Sequence, residues 1–166
     1  MHGTRRVVAY ILNEEPKARQ DADIVDTMAK KTVAHAARKT ESDRTKILVF
    51  SPDVDLAKSL ALLLENQFEI VCETQLDDLK TRIRSAVPAL LLIDLFSFPS
   101  DILREVNVLR ALRLHVPVVL LRVYRQLSPE LEETIRDIAD LVLYKPFDVN
   151  VVAEAVHKLL GVPQQK

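Results

Sequence analysis

The stretch Pro88-Ala-Leu-Leu-Leu-Ile-Asp94-Leu95 constrains this chain more than any other, because five consecutive apolar residues end abruptly in a carboxylate. The run has strand length rather than helix length. A strand that is apolar at every position must be covered on both faces, which is the habit of a central strand in a parallel sheet. An aspartate at its C-terminal end then stands at the sheet edge, where open α/β sheets hold ligands and do chemistry.

The residues on either side repeat an alternation of strand and helix. Ile47 to Phe50 reads as a first strand, and Ser51-Pro52-Asp53 as a helix start with Ser51 as N-cap, Pro52 at the first helical position and Asp53 in the first turn. That helix runs through Leu56, Leu60, Leu63 and Leu64 to about Asn66. Phe68–Cys72 alternates as a second strand, Leu76–Ala86 is a second helix, and Ala89–Asp94 is the third strand. Asp101–Leu114 is a third helix with Ile102, Val106, Leu109 and Leu112 on one face, and Pro117–Leu121 is a fourth strand. Ser128-Pro129-Glu130 repeats the helix start and leads to a fourth helix ending near Ala139. Leu141–Tyr144 is the fifth strand and Asn150–Leu160 the fifth helix. Right-handed crossovers between such elements give a doubly wound five-stranded parallel sheet of order 2-1-3-4-5. Its crevice lies at the C-terminal ends of strands one and three, where Ser51, Pro52 and Asp94 meet.

The first 45 residues differ in kind and form an N-terminal extension to a domain spanning 46–162. Residues 5–12 could be a short strand or the start of a helix; Pro16 opens a helix over about 17–39, and 40–46 is a polar linker. Residues 1–46 carry ten Lys/Arg against seven Asp/Glu, or +3, and the remainder thirteen against seventeen, or −4. That polarity is too weak to point to nucleic acid, and Asp21, Asp23 and Asp26 interrupt the basic residues of helix 17–39. The only glycines, Gly3 and Gly161, exclude a glycine-rich phosphate loop. The single cysteine, Cys72, excludes an internal disulfide and reads as a buried strand residue. His2, His35, His115 and His157 share no ligand spacing. No apolar run reaches the ~18 residues of a membrane span, and the basic start is followed by too short an apolar stretch for a signal peptide. These features are those of a cytoplasmic protein.

Residues 46–161 resemble the receiver domain of two-component response regulators. The likeness rests on Ile47-Leu-Val-Phe50, Pro88 to Asp94-Leu95 with Pro99 nearby, Pro117-Val-Val-Leu-Leu121, and above all Leu143-Tyr-Lys145-Pro146-Phe147. The resemblance implies that Asp94 stands where receivers accept a phosphoryl group and Lys145 where a lysine contacts the phosphoryl oxygens. The chain departs from the pattern at other places. Ser51 and Pro52 replace the acidic pair that holds Mg²⁺, and Asp53, one residue further on, is the weak remaining candidate for a metal ligand. Arg122 stands where a Thr or Ser follows the phosphate, and Val142 where an aromatic residue often rotates on activation. The loop from Asp94 to Pro99 is one residue longer than the family spacing.

Mg²⁺ needs oxygen ligands in octahedral array, and proline supplies no side-chain oxygen. The expectation is therefore an atypical pseudo-receiver that works by protein–protein contact, without enzymatic activity and without a cofactor. In that reading Arg122 and Lys145 both pair with Asp94 and neutralise it permanently. The alternative is a phosphate-accepting receiver in a phosphorelay that uses Asp94 with Mg²⁺. By resemblance the partners are a histidine kinase or a transcription regulator. A second copy of the chain is the further expected partner, through the face of helix four, strand five and helix five or through helix 17–39.

Overall fold

The computed structural model describes residues 10–11, 44–96, 99–112 and 115–163, with the backbone alone for 10–11 and 99–100. The expected helix 17–39 and most of the linker that follows it lie outside the described residues. The strands are β1 (Tyr10–Ile11), β2 (Lys46–Phe50), β3 (Glu69–Glu73), β4 (Leu90–Asp94), β5 (Val118–Val123) and β6 (Leu141–Lys145). The helices are α1 (Val54–Leu64), α2 (Leu76–Ala86), α3 (Pro99–Ala111), α4 (Pro129–Ile138) and α5 (Val149–Leu160).

All strand pairs are parallel, in the order β1-β6-β5-β4-β2-β3. The five strands read from the sequence are β2 to β6, and their order is the 2-1-3-4-5 of a doubly wound sheet. The addition is β1, whose Tyr10 pairs with Val142 and Ile11 with Leu143. Two residues of the extension thus lie along the β6 edge, where unpaired backbone groups would otherwise invite another strand.

Strand alternation divides the apolar side chains into two cores. Leu48, Phe50, Leu91, Ile93, Val118, Leu120 and Val142 face α2, α3 and α4, packing on Leu79, Val106 and Ile135. Ile47, Val49, Leu90, Leu92, Val119, Leu121 and Leu143 face α1 and α5, packing on Leu60, Val152 and Val156. Every residue of β4 is buried, as its unbroken apolar run requires. Phe147 packs into the α1/α5 core beside the last helix.

The two Ser-Pro sequences fold differently. Ser128 caps α4 as expected, its Oγ accepting from Leu131 N at 3.3 Å with Pro129 in the first turn. The start of α1 corrects the expectation for Ser51, because the N-cap is Asp53, whose Oδ1 accepts from Asp55 N at 2.9 Å and Leu56 N at 3.1 Å. Aspartate is as good an N-cap as serine. Ser51 is still at the strand end, fully buried, with its hydroxyl committed elsewhere. Cys72 is a second correction: it is exposed, because β3 is the outer strand and only Glu73 in it is buried.

Helix α5 ends at Gly161, whose φ of 66° lies in the left-handed region that glycine adopts freely. Helix α2 ends in the same region on a valine, Val87, at φ 49°. A β-branched residue there is strained by about 1–2 kcal/mol, and the following Pro88 disfavours helical backbone further. Val87 is 77% exposed, so its side chain contributes little packing. Val87→Gly should therefore raise the unfolding free energy by roughly 0.5–1 kcal/mol, after the entropic cost of glycine is deducted. Chemical denaturation checks this, and an unchanged or lower midpoint contradicts it.

Candidate functional site

Side-chain parity decides which residues meet at the C-terminal edge of the sheet. Asp94 continues the series Leu90, Leu92; Lys145 continues Leu141, Leu143; and Ser51 follows Ile47, Val49. All three leave their strands toward the α1/α5 face. Ser51 Oγ donates to Asp94 Oδ2 at 2.8 Å, and Lys145 Nζ lies 2.6 Å from Asp94 Oδ1. The lysine contact is an ion pair outside the angles of a directed hydrogen bond. Asp94 is only 2% exposed, and Ser51 is completely buried. Ser51 Oγ also accepts from Asp53 N at 3.0 Å, so the hydroxyl bridges the start of α1 and the carboxylate of β4.

Arg122 belongs to the opposite series, Val118 and Leu120, and so leaves β5 toward α4. The expectation that it pairs with Asp94 is not met. Its carboxylate partner is Glu132 of α4, gripped bidentately with Nη1 3.1 Å from Oε2 and Nη2 3.0 Å from Oε1. Nη2 also donates to the carbonyl of Arg125 at 2.9 Å, and the guanidinium lies 5.5 Å from the centroid of the Tyr144 ring. Arg122 is 2% exposed, so this pairing is what makes its burial tolerable. Alternation along β5 points the side chain away from the Asp94 side of the sheet.

Val142 is buried in the α2/α3/α4 core and paired between Leu120 and Tyr10. The aromatic residue of this strand is Tyr144, two positions on and on the same face, in edge contact with Tyr124 at 5.5 Å.

Two buried carboxyls escaped the sequence reading. Glu105 is fully buried on α3, with Oε2 accepting from Phe96 N at 2.9 Å and Oε1 without a hydrogen-bond partner among the described residues. Removal from water pushes its carboxyl up to about 8, against the lowering effect of the Phe96 N–H; Asp94 and Asp101 raise it further and Lys145 lowers it. Its signal was its position: three residues after Ile102 and four before Leu109, within the apolar stripe of the helix. Glu73 is 7% exposed at the end of β3 and replaces a side-chain cap at α2, its Oε1 accepting from Thr74 N and Gln75 N at 2.8 and 2.9 Å. Burial alone would raise Glu73, but those N–H groups and Arg82, 3.2 Å from Oε2, hold it below the usual carboxylate range.

The residues that follow β2 do not fit a Mg²⁺ ion as they are arranged. The Ser51 hydroxyl hydrogen is directed at Asp94, Pro52 offers no ligand, and Asp53 Oδ1 is taken by two helix N–H groups. Among the described residues no group of three or more His, Cys, Asp or Glu side chains could hold a metal ion. His157 is a buried core residue, with Nδ1 2.6 Å from the Ala153 carbonyl and Nε2 2.8 Å from Gln67 Oε1. Among the described residues no helix is long and apolar enough to cross a membrane.

No family model matches the chain, and no curated protein matches it. Solved structures do. A CheY-like response regulator receiver domain protein from Methanospirillum hungatei is 18% identical, with a TM-score of 0.61 over 71% of this chain and 94% of that one. A two-component response regulator from Clostridium difficile is 20% identical, with a TM-score of 0.60 over 71% of this chain and 97% of that one. The BeF3-activated N-terminal receiver domain of Klebsiella pneumoniae RstA is 20% identical, with a TM-score of 0.58 over 70% and 98%. These likenesses establish the receiver fold.

The Arg122–Glu132 pair can be separated from the Asp94 pair by double-mutant cycles in urea. Breaking a buried ion pair by removing one partner costs about 3–5 kcal/mol, so Arg122→Ala and Glu132→Ala should each be strongly destabilising. The two should couple by at least about 1 kcal/mol, whereas Arg122→Ala and Asp94→Asn should add to within about 0.5 kcal/mol. Coupling between Arg122 and Asp94 with none to Glu132 would contradict the geometry.

Proposed function

We propose that this chain is an atypical receiver, a pseudo-receiver of two-component signalling, that acts through protein–protein contact without Mg²⁺-dependent phosphorylation. The observation that carries this reading is the state of Asp94. Both carboxylate oxygens are engaged by the chain itself, one by Ser51 Oγ and the other by Lys145 Nζ, in a position 2% exposed. An attacking carboxylate oxygen must reach its phosphoryl donor in line, and a metal ion must neutralise the charge that develops. Here the acceptor oxygens are enclosed, and the side chains at the place of the metal are a donating serine, a proline and a capping aspartate. Among the described residues Lys145 is the cation paired with Asp94.

The second reading, a phosphate-accepting receiver using Asp94, is favoured by the Asp94–Lys145 contact, which is the pairing that such receivers share by resemblance. It requires Ser51 to give up Asp94 and a metal to enter with no acidic pair to hold it. The first reading asks for no rearrangement.

In this function the partner is a protein of the signalling pathway, such as a histidine kinase or a transcription regulator, or a second copy of the chain, in the cytoplasm. Contact is made through the α4, β6 and α5 face or through the extension. The β6 edge of that face already carries Tyr10 and Ile11, so the exposed surfaces of α4 and α5 are the more open part of it. The Arg122 pairing holds α4 to the end of β5 and supports a fixed contact surface over a switched one.

Incubating the protein with Mg²⁺ and acetyl phosphate and recording its intact mass tests the proposal. The expected spectrum is that of the untreated chain. A phosphoryl adduct that disappears in Asp94→Asn would overturn it in favour of the phosphate-accepting receiver.

A further inference from the structure

The position of β1 constrains the course of the chain between it and β2. β1 runs parallel to β6 at one edge of the sheet, and β2 lies four strand positions further in, parallel to both. Residues 12–45 therefore form a crossover between parallel strands, leaving β1 at the C-terminal edge of the sheet and entering β2 at the N-terminal edge. Such connections keep one hand. In this sheet the hand fixes the face. The step outward from β2 to β3 is made by α1, on the face that α1 shares with α5. The steps back to β4, β5 and β6 are made by α2, α3 and α4, on the other face. The step from β1 to β2 has the direction of the α1 step, so the same hand carries residues 12–45 over the α1/α5 face.

The end of the connection agrees with that course. Arg44, two residues before β2, donates from Nη1 to the carbonyl of Glu65 at the end of α1, at 3.1 Å. Helix α5 has surface to receive the segment. Its polar residues Asn150, Glu154 and Lys158 stand four apart in one stripe, and apart from His157 the other positions are apolar. A helix apolar over so wide an arc needs more cover than one sheet gives. The side toward α1 is occupied by His157, which meets Gln67 and the Phe68 ring. The row Val151, Ala155 and Leu159 lies about 160° around the helix from His157, on the flank toward β6. Val151 and Leu159 are only half-buried, as is Leu141 at the start of β6. Among the described residues three helices cover one face of the sheet and two the other, although β1 widens the sheet beside β6.

We infer that the segment 17–39 docks on this flank as a third helix of the α1/α5 face, with its stripe from Ile24 to Ala36 against Val151 and Leu159. The dimensions agree. The stripe is as long as α5, about 18 Å at 1.5 Å per residue. Residues 40–45 then reach about 20 Å when extended, which spans the four strand spacings of about 4.8 Å between β1 and β2. Ala29 and Ala36 in the stripe allow close approach, and the extension's +3 meets the −4 of the rest of the chain. The docking does not depend on the state of Asp94. Its consequence for a partner does rest on the proposed function: with α5 covered on its β6 flank, α4 is the open helix of the α4, β6 and α5 face.

Methyl NOE spectra of the full chain test the inference. The expected result is cross-peaks from Ile24, Met28 and Val33 to Val151 and Leu159. Mixing carbon-13-labelled and unlabelled copies separates contacts within one chain from contacts between two. Cross-peaks that arise between copies would overturn the inference in favour of a second copy on this flank. It would equally fail on cross-peaks from the segment to α3 or α4, or on none from the segment to α5. Val151→Glu places a charge in the flank and should abolish the cross-peaks while the methyl pattern of the α2/α3/α4 core persists; contacts that survive it unaltered contradict the docking. The spectra of the unaltered chain decide even if that variant does not fold. A phosphoryl adduct on Asp94 would overturn the proposed function and leave these cross-peaks in place.

Discussion

The contact on which the sheet edge depends is a carboxylate held between two neighbours of its own chain. Asp94 is buried at the end of the central strand and would be untenable there alone; the Ser51 hydroxyl and the Lys145 ammonium make it tenable. The three residues come from β2, β4 and β6 and meet because each continues the same side of its strand. Most of the site follows from that parity. It places Ser51 under Asp94 and so leaves the capping of α1 to Asp53, and it sends Arg122 to the other side of the sheet.

The second buried cation then acquires its own partner. Arg122 binds Glu132 with two hydrogen bonds and the Arg125 carbonyl with a third, joining the end of β5, the loop after it and α4 into one unit. A charge pair of this kind is weak evidence of added stability but strong evidence of a fixed arrangement, because either partner alone would be a buried or half-buried uncompensated charge. Two separate ion pairs, one on each face of the sheet, replace the single Asp94-centred cluster that the order of residues along the chain suggests.

The fold was legible because its signal is distributed. Apolar runs, Ser-Pro starts and turn residues recur through 46–161, and each supports the same alternation of strands and helices. Asp94 and Lys145 were legible as strand-end residues for the same reason. Arg122 was misplaced because strand-end position was weighed without parity, although Val118, Leu120 and Arg122 alternate visibly with Val119 and Leu121. The cap of α1 was missed because Ser51 and Asp53 are equally good cap residues, and only the burial of Ser51 against Asp94 decides between them. Glu105 was hidden in a helix whose apolar stripe was read from its hydrophobic members alone. Glu132 lies ten residues from Arg122 on another element, the amphipathic helix α4, and no local pattern joins the two.

The central claim is the proposed one, that Asp94 is a carboxylate already answered by Ser51 and Lys145 and not an acceptor of phosphate. Beryllofluoride with Mg²⁺ mimics an acyl phosphate on such an aspartate and needs no donor or turnover. Its addition, followed in the amide NMR spectrum of the full chain, is the most direct test. The account predicts that the resonances of Ser51, Asp94, Leu95 and Lys145 stay where they are. Saturable shifts at these residues that require both beryllofluoride and Mg²⁺, and that vanish in Asp94→Asn, would contradict it.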